Sequence, residues 1–336
     1  MHLAFVKHST HLNVAPYFGD LTPVFKELST AGIQFDITAW DDPNINWSQF
    51  THVILTSQIE YNSHIKEFLQ WVDQMEKLEQ QNSLTFCNSS RIIRWNYNKK
   101  YLFDLEKKNI TIPATVLLEQ NFDVGRHEIA DSVLNGLKKY GRRIDEIVVK
   151  NVIGAAGMFV WRSKLLQTSD GTMALADSTA EKLYQQLISP EGEFGVLIQE
   201  FLPSILSEGE WSLVYFNKKY SHAVIKKPNL RNGVDAEEFG VQHRYGGHDQ
   251  VVPDGQVPEL LMCFGEKVLA ALDEDLLHAR VEVLLGEDQN PHLLELEVLD
   301  MFLFTLKPVL VETYSQAIMA NTTNRKYKQI EDQYMK

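Results

Sequence analysis

The stretch Glu146-Ile-Val-Val-Lys150-Asn-Val-Ile-Gly154-Ala-Ala-Gly157-Met-Phe-Val-Trp-Arg162 is a β-branched run that ends in a lysine and opens into a loop of small residues. Val148 and Val149 read as a buried strand, with Lys150 as a point cation at its end. Gly154, Ala155, Ala156 and Gly157 keep side chains away, so backbone N–H groups can approach phosphate oxygens of a nucleotide triphosphate. Phe159 to Arg162 reads as the returning strand. The loop has neither the Gly-Lys-Ser/Thr ending of a P-loop nor the helix-opening spacing of a dinucleotide fingerprint. A hairpin with a flexible turn and a solvated strand-end lysine accounts for the same residues. The stretch alone does not choose between the two.

Composition sets the frame. The 336 residues suffice for two or three domains with a substantial core. Hydrophobic residues make up 44%, yet no run approaches the roughly 18 apolar residues of a membrane span. Met1-His2-Leu3-Ala4-Phe5-Val6-Lys7 enters a short apolar strand directly, without a signal-peptide pattern, so a cytoplasmic location is expected. Cys87 and Cys263 are too few for a disulfide framework and lack metal-ligand spacing; both read as core thiols. A net charge of -13 argues against a nucleic-acid surface, though it permits a local basic groove for a nucleotide.

Strand and helix patterns alternate along the chain, with no internal repeat. Leu3–Val6, Ile33–Ala39 and Val53–Thr56 read as strands, Leu21–Ala31 and Ile65–Leu78 as helices, a start that favours a parallel α/β sheet. Trp95–Lys108 reads as one helix, and 110–115 as an extended exit. Ala180–Ile188 and Val257–Leu272 are further helices. Strands follow from Val196, ending in Ala279–Leu285 and His292–Val298. Boundaries are expected near residues 90 and 195, giving segments 1–90, 91–195 and 196–336.

Later segments extend the phosphate chemistry. Gln199-Glu200-Phe201-Leu202 ends an apolar strand at Pro203, a break that frees backbone groups for an adenine edge. Glu210 follows and can accept from ribose hydroxyls, although solvated turn carboxylates give the same pattern. Glu295 and Glu297 stand two apart in a strand and share a face, and Glu282 in the neighbouring strand can join them. Three like charges on a buried face repel and pay desolvation unless a hard cation neutralises them. Magnesium suits such oxygen ligands and shares them with phosphate. On this reading Glu295→Gln spares or raises stability. Water-facing glutamates on an alternating strand, or neutralisation by Arg280, are the alternatives.

Taken in order, these segments resemble the ATP-grasp superfamily over about residues 85–305. The resemblance opens at Asn88 and Trp95-Asn96-Tyr97-Asn98-Lys99, continues through Pro113-Ala114-Thr115, Lys150 and the glycine loop, and includes Gln199–Pro203 leading to Gly209-Glu210, similar to bacterial glutathione synthetase. Ser221–Pro228, Tyr245-Gly246-Gly247, Arg280-x-Glu282 and Glu295-x-Glu297 are closer to the cyclo-ligase type of cycloserine biosynthesis. The resemblance implies an α/β (α+β) ATP-grasp fold preceded by an N-terminal parallel-sheet domain. It implies Lys99 and Lys150 on the α- and β-phosphates, and the loop Gly154–Gly157 over the transferred phosphoryl group. Gln199, Glu200, Phe201 and Leu202 would frame adenine, and Glu210 the ribose. Glu282, Glu295 and Glu297 would hold two magnesium ions; Lys226 and Arg280 would stabilise charge on the moving phosphoryl group.

The activity implied is an ATP-dependent ligase: a carboxylate of a small amino-acid-like substrate is activated as an acyl phosphate, attacked by an amine, and ADP and phosphate are released. No nucleic-acid or membrane partner is implied, and a homodimer is allowed. A peptide ligase and a non-catalytic nucleotide-binding regulator are the alternatives, the second disfavoured by retention of both lysines and all three carboxylates. Several positions depart from the pattern. Asn151 stands in place of proline, Glu282 in place of aspartate, and Asp300-Met301 in place of Glu-Pro. Phe239-Gly240-Val241-Gln242 lacks an expected arginine, for which Arg244 or Arg231 are substitutes. Thr56-Ser57-Gln58-Ile59-Glu60-Tyr61 replaces a Ser-Thr-Trp-Asp-Tyr segment where substrate is expected, which implies a different substrate. His222 and His243 read as network histidines.

Overall fold

The computed structural model describes residues 1–12, 21–56, 59–120, 125–229, 240–242, 245–299, 302–304 and 310–322. Ser57, Gln58, Arg231, Phe239, His243, Arg244, Asp300 and Met301 lie outside the described residues. The N-terminal unit is a parallel sheet of β1 (His2–Lys7), β2 (Gln34–Ala39), β3 (His52–Leu55) and β4 (Thr85–Cys87), in the order β2-β1-β3-β4. Parallel neighbours need crossovers, supplied here by α1 (Thr22–Thr30) and α2 (Ile65–Gln80). Leu3 to Val6 are all fully buried, as expected for a parallel strand covered on both faces. On α2 the buried residues Ile65, Phe68, Trp71, Val72 and Met75 fall at helical spacing.

The expected helix at 95–108 is instead two short helices, α3 (Ser90–Asn96) and α4 (Tyr101–Lys107). The break has a tertiary cause: the Lys99 N–H donates to the Val152 carbonyl at 2.9 Å, and Asn98 Oδ1 accepts from the Lys100 N–H at 3.0 Å. The next unit contains β5 (Thr115–Leu118), α5 (Arg126–Lys138), β6 (Glu146–Asn151), β7 (Trp161–Lys164), the small ribbon β8 (Leu166–Gln167) and β9 (Met173–Ala174), α6 (Asp177–Ile188) and β10 (Val196–Glu200). Its antiparallel sheet runs β5-β10-β6-β7. Because Val196–Glu200 is a central strand of this sheet, a boundary at 195 does not follow the strand pairing. Phe159 is not part of β7; it sits in the loop at φ 58°.

The third unit holds α7 (Ser204–Ser207), β11 (Glu210–Phe216), β12 (Lys219–Lys227), β13 (His248–Val251), α8 (Glu259–Ala270), β14 (His278–Leu285), β15 (Pro291–Glu297) and α9 (310–322). Its antiparallel sheet runs β13-β12-β11-β14-β15. Cys87 is buried as expected, but Cys263 is exposed on α8.

The edge of β15 is closed by side chains from earlier in the chain. Asn96 donates to the Leu296 carbonyl at 2.7 Å, the Leu296 N–H donates to the Tyr101 hydroxyl at 2.8 Å, and the Leu293 N–H donates to the Thr111 carbonyl at 2.8 Å. Asn88 bridges the carbonyls of His278 and Val298 and accepts from the Leu277 N–H. An edge strand without such partners would invite pairing with another chain. These bonds also fix which residues of β15 face the sheet's open side. Asn96→Ala leaves buried backbone groups of Leu296 and Val298 short of a partner, and is expected to lower unfolding free energy by about 2 kcal/mol, read as a shifted urea midpoint.

Candidate active site

The sheet of the third unit builds the floor of the site. Across it, Glu210 pairs in register with Lys226, Ser212 with Glu282, Glu282 with Glu295, and Arg280 with Glu297. A shift in register between Glu282 and Val283 leaves Leu294 as an extra residue on β15, a bulge that re-aims Glu295. Two carboxylates directly opposite on neighbouring strands are destabilising by themselves. Cations from three elements offset this. Lys226 Nζ lies 2.6 Å from Glu282 and also pairs with Glu210; Arg280 Nε lies 2.8 Å from Glu282; Lys150 Nζ lies 3.1 Å from Glu295. Lys99 is 3.9 Å from Glu295 and donates to the Gly154 carbonyl at 2.7 Å.

Burial decides the electrostatics. Lys150 is 5% exposed, and desolvation holds its ammonium below the ordinary lysine range, helped by the charge of Lys99 and opposed by Glu295. Burial would lower Lys226 as well, but Glu210 and Glu282 outweigh it and hold the amine above its ordinary value. Glu282 and Glu295, which burial would raise, are held below the carboxylate range by Lys226 and Arg280 and by Lys99 and Lys150 respectively. Glu210 is the exception: burial and the charge of Glu282 push it up to about 7 despite Lys226.

A cavity of about 510 Å³ lies over this floor. Its walls include every residue that sequence analysis assigned: Lys99, Lys150, Gly154 to Gly157, Gln199, Glu200, Phe201, Leu202, Glu210, Lys226, Arg280, Glu282, Glu295 and Glu297. The loop between β6 and β7 forms its roof, with Ala156 and Gly157 at φ 52° and 69°. Glycine suits position 157 because its φ is left-handed, and a Cβ there would also displace Gln242 Oε1, 2.7 Å away. At the far end, the Glu200 and Phe201 N–H groups donate to the carbonyls of Ala114 and Glu146. The N–H groups of Glu200 and Phe201 are thus engaged within the protein, whereas the expectation had all three of Glu200, Phe201 and Leu202 facing an adenine edge. Gln199 is buried and donates to the Thr115 hydroxyl at 3.0 Å.

Several residues on the walls or just behind them were given no role from sequence. Arg142 forms a two-pronged ion pair with Glu200, so that carboxylate is engaged within the protein. Arg162 lies over the Phe201 ring at 4.8 Å. Gln242, Tyr245 and the 302–304 segment also close on the site: the Tyr245 hydroxyl donates to the Gly157 carbonyl at 2.8 Å, and Arg280 Nη1 donates to the Phe302 carbonyl at 3.0 Å. No local signal marks these, because their partners are more than twenty positions away in sequence. His222 is buried and bonds the Leu303 carbonyl at 2.9 Å, in keeping with a network histidine.

The first 80 residues or so carry a family signature: residues 3–82 match the model described as D-cycloserine synthetase DcsG, N-terminal domain. The cycloserine biosynthesis protein DcsG of Streptomyces lavendulae is 24% identical over 284 residues, covering 83% of this chain and 85% of that protein. The crystal structure of D-cycloserine synthetase DcsG superposes with a TM-score of 0.74 at 22% identity, over 96% of this chain and 99% of that one. A D-alanine–D-alanine ligase from Bacillus anthracis superposes with a TM-score of 0.60 at 14% identity, over 98% and 99%. The chain has the ATP-grasp fold. A RimK domain ATP-grasp protein from Sphaerobacter thermophilus superposes with a TM-score of 0.58 at 12% identity, over 94% and 97%.

Two outcomes follow from the ATP-grasp floor. Glu295→Gln removes the partner of the buried Lys150 and leaves it beside Lys99, so apo stability is expected to fall by about 3 kcal/mol, not rise as like-charge repulsion alone implies; thermal melts check the sign. Glu210 has a folded value near 7 against an ordinary 4.5, so its contribution to stability is full below about 4.5 and is lost as pH rises through about 7. Melting temperatures of Glu210→Gln across that interval should lack this decline.

Proposed function

We propose that the chain is an ATP-dependent ligase that activates the carboxylate of a small amino-acid-like substrate as an acyl phosphate for attack by an amine. The observation that carries this reading is the ion-paired cluster on the cavity floor, in which Lys99, Lys150, Lys226 and Arg280 meet Glu210, Glu282 and Glu295. With Glu297 beside them, these charges come close to balance. ATP alone would upset that balance by about four negative charges, and two divalent cations would restore it.

The carboxylates suit magnesium in kind: all are hard oxygen donors, and Glu282 faces Glu295 across the strands. As they stand, no three His, Cys, Asp or Glu side chains among the described residues converge as ligands, because Glu282 and Glu295 are turned to their own cations. Magnesium bound by Glu282, Glu295 and Glu297 would neutralise the phosphates and release the cations for them. Lys99 and Lys150 then hold the α- and β-phosphates, and the loop Gly154–Gly157 excludes water above them. Lys226 and Arg280 stabilise charge on the phosphoryl group as it passes to the substrate carboxylate. Leu202 and its neighbours would frame the base, and Glu210, at the start of β11, would meet the ribose.

Likeness to a cycloserine biosynthesis protein supports an amino-acid-like substrate. With magnesium, ATP and pooled amino acids and dipeptides, ADP and phosphate should be released, and hydroxylamine should trap the activated acyl group as a hydroxamate. Lys226→Met and Arg280→Met should lower kcat more than they raise the KM for ATP, since the charge they meet develops in the transition state. Release of AMP and pyrophosphate would overturn the mechanism.

A further inference from the structure

The carboxyl ends of β1, β2 and β3 carry a group of imidazoles and carboxylates that the nucleotide cavity does not use. His8 follows β1, Trp40 and Asp41 follow β2, and the turn Ile59–His64 lies between β3 and α2. In a parallel sheet this edge is where ligands bind. His8 is buried. Its Nδ1 accepts from the Thr10 N–H at 3.3 Å, which leaves the ring proton of the neutral form on Nε2, facing Asp41 Oδ2 at 3.5 Å. Asp41 is fixed in turn by the Ser9 N–H at 2.9 Å. Although burial would raise its carboxyl, the Ser9 bonds and His8 hold it below the ordinary range. Trp40 closes one side of the His8 ring at 5.3 Å.

Against that fixed ring lies His64. The two imidazoles are stacked, with centroids 5.2 Å apart and planes at 16°. His64 is exposed, and although it occupies the N-cap of α2 it makes no capping bond. Among the described residues its ring nitrogens have no hydrogen-bond partner. It is thus a base whose plane is set from behind and whose nitrogens are open. Three residues earlier, the Tyr61 hydroxyl donates to the Tyr97 carbonyl at 3.3 Å, two residues before Lys99 of the cavity. His11 and Glu60, 3.4 Å apart, flank the same turn.

We propose that this edge is the subsite for the attacking amine and that His64 accepts its proton. The proposal rests on the acyl-phosphate reading above. The ligand class is a small primary amine of the amino-acid type, its nitrogen directed at His64 with Glu60 and Asp41 as nearby negative charges. The nitrogen lone pair forms the C–N bond, the C–O bond to phosphate breaks with its electron pair leaving on phosphate, and the nitrogen's proton passes to His64 and then to water. His8 and Asp41 are positioning residues.

The test compares wild type with His64→Gln and His64→Phe, both at an exposed position with no cap bond to lose. With the pool of amino acids that supports ADP release, kcat should fall about a hundred-fold, while the KM for ATP changes less than about two-fold. Hydroxamate formation from acid, ATP and hydroxylamine should persist, because hydroxylamine is largely unprotonated at neutral pH and needs no base. An unchanged kcat, or loss of hydroxamate in step with kcat, overturns the assignment. Independently of turnover, the imidazole resonances that disappear in His64→Gln should shift when the pool is added without ATP; no shift overturns the subsite. If the wild type releases no ADP with any acid, the ligase reading fails, and this titration still decides the amine site.

Discussion

Everything in the cavity depends on the opposition of Glu282 and Glu295 across β14 and β15. Two carboxylates in register, one buried and one half-buried, are an unfavourable arrangement, and the sheet holds it because Lys226, Arg280 and Lys150 reach them from three directions. The cations come from separate units. Lys226 and Arg280 belong to the same sheet as the carboxylates, whereas Lys150 ends β6 of the preceding sheet. The ion pair between Lys150 and Glu295 is therefore also a contact between sheets, formed where a phosphate chain would lie. A ligand that takes the lysine and leaves the carboxylate to a metal exchanges one balanced set of charges for another at little electrostatic cost.

That exchange requires the carboxylates to stay in place, and the edge contacts of β15 supply the rigidity. Asn96 and Tyr101 bind both backbone groups of Leu296, the residue between Glu295 and Glu297. Because side chains alternate along a strand, fixing Leu296 toward the core fixes both glutamates toward the cavity. The turn between the same two helices carries Lys99, whose N–H is pinned to the Val152 carbonyl beyond β6. One short stretch, 96–101, thus positions Glu295 and Glu297 on one side of the cavity and Lys99 on the other. Its distant partners, about 200 positions on, are not visible in the local sequence.

This explains what the sequence made legible. The strand-lysine-glycine hairpin and the alternating glutamates are local patterns, and Lys150, Gly154, Gly157, Glu282, Glu295 and Glu297 all reach the cavity. Helix and strand types were legible for the same reason. The break at Tyr97–Lys100 was not, since the Val152 carbonyl causes it. Nor was the place of Val196–Glu200 between β5 and β6, because an apolar run says that a strand is buried and not beside which neighbours. The expected sign of the Glu295→Gln effect changes for a related reason: spacing brings the carboxylates together but does not reveal that Lys150 and Lys99 lie beside one of them. Arg142 on Glu200 and the stacked His8 and His64 depend on loops whose approach no periodicity records.

The absent arginine at Gly240 fits the same physical logic. A Cβ at this position would lie 2.5 Å from both Gln242 Oε1 and the Tyr245 ring, so any side chain would displace them. Those two residues meet the roof of the cavity: Gln242 packs against Gly157, and Tyr245 donates to its carbonyl. Glycine at 240 permits this close approach of Gln242 and Tyr245 to the loop between β6 and β7. The charge an arginine would have contributed is not thereby missing from the cavity, where Lys226 and Arg280 already stand on the floor beneath. Glycine at 240 thus goes with a neutral clasp between the two loops, while the cations of this cavity that stand nearest Glu282 are fixed in the sheet.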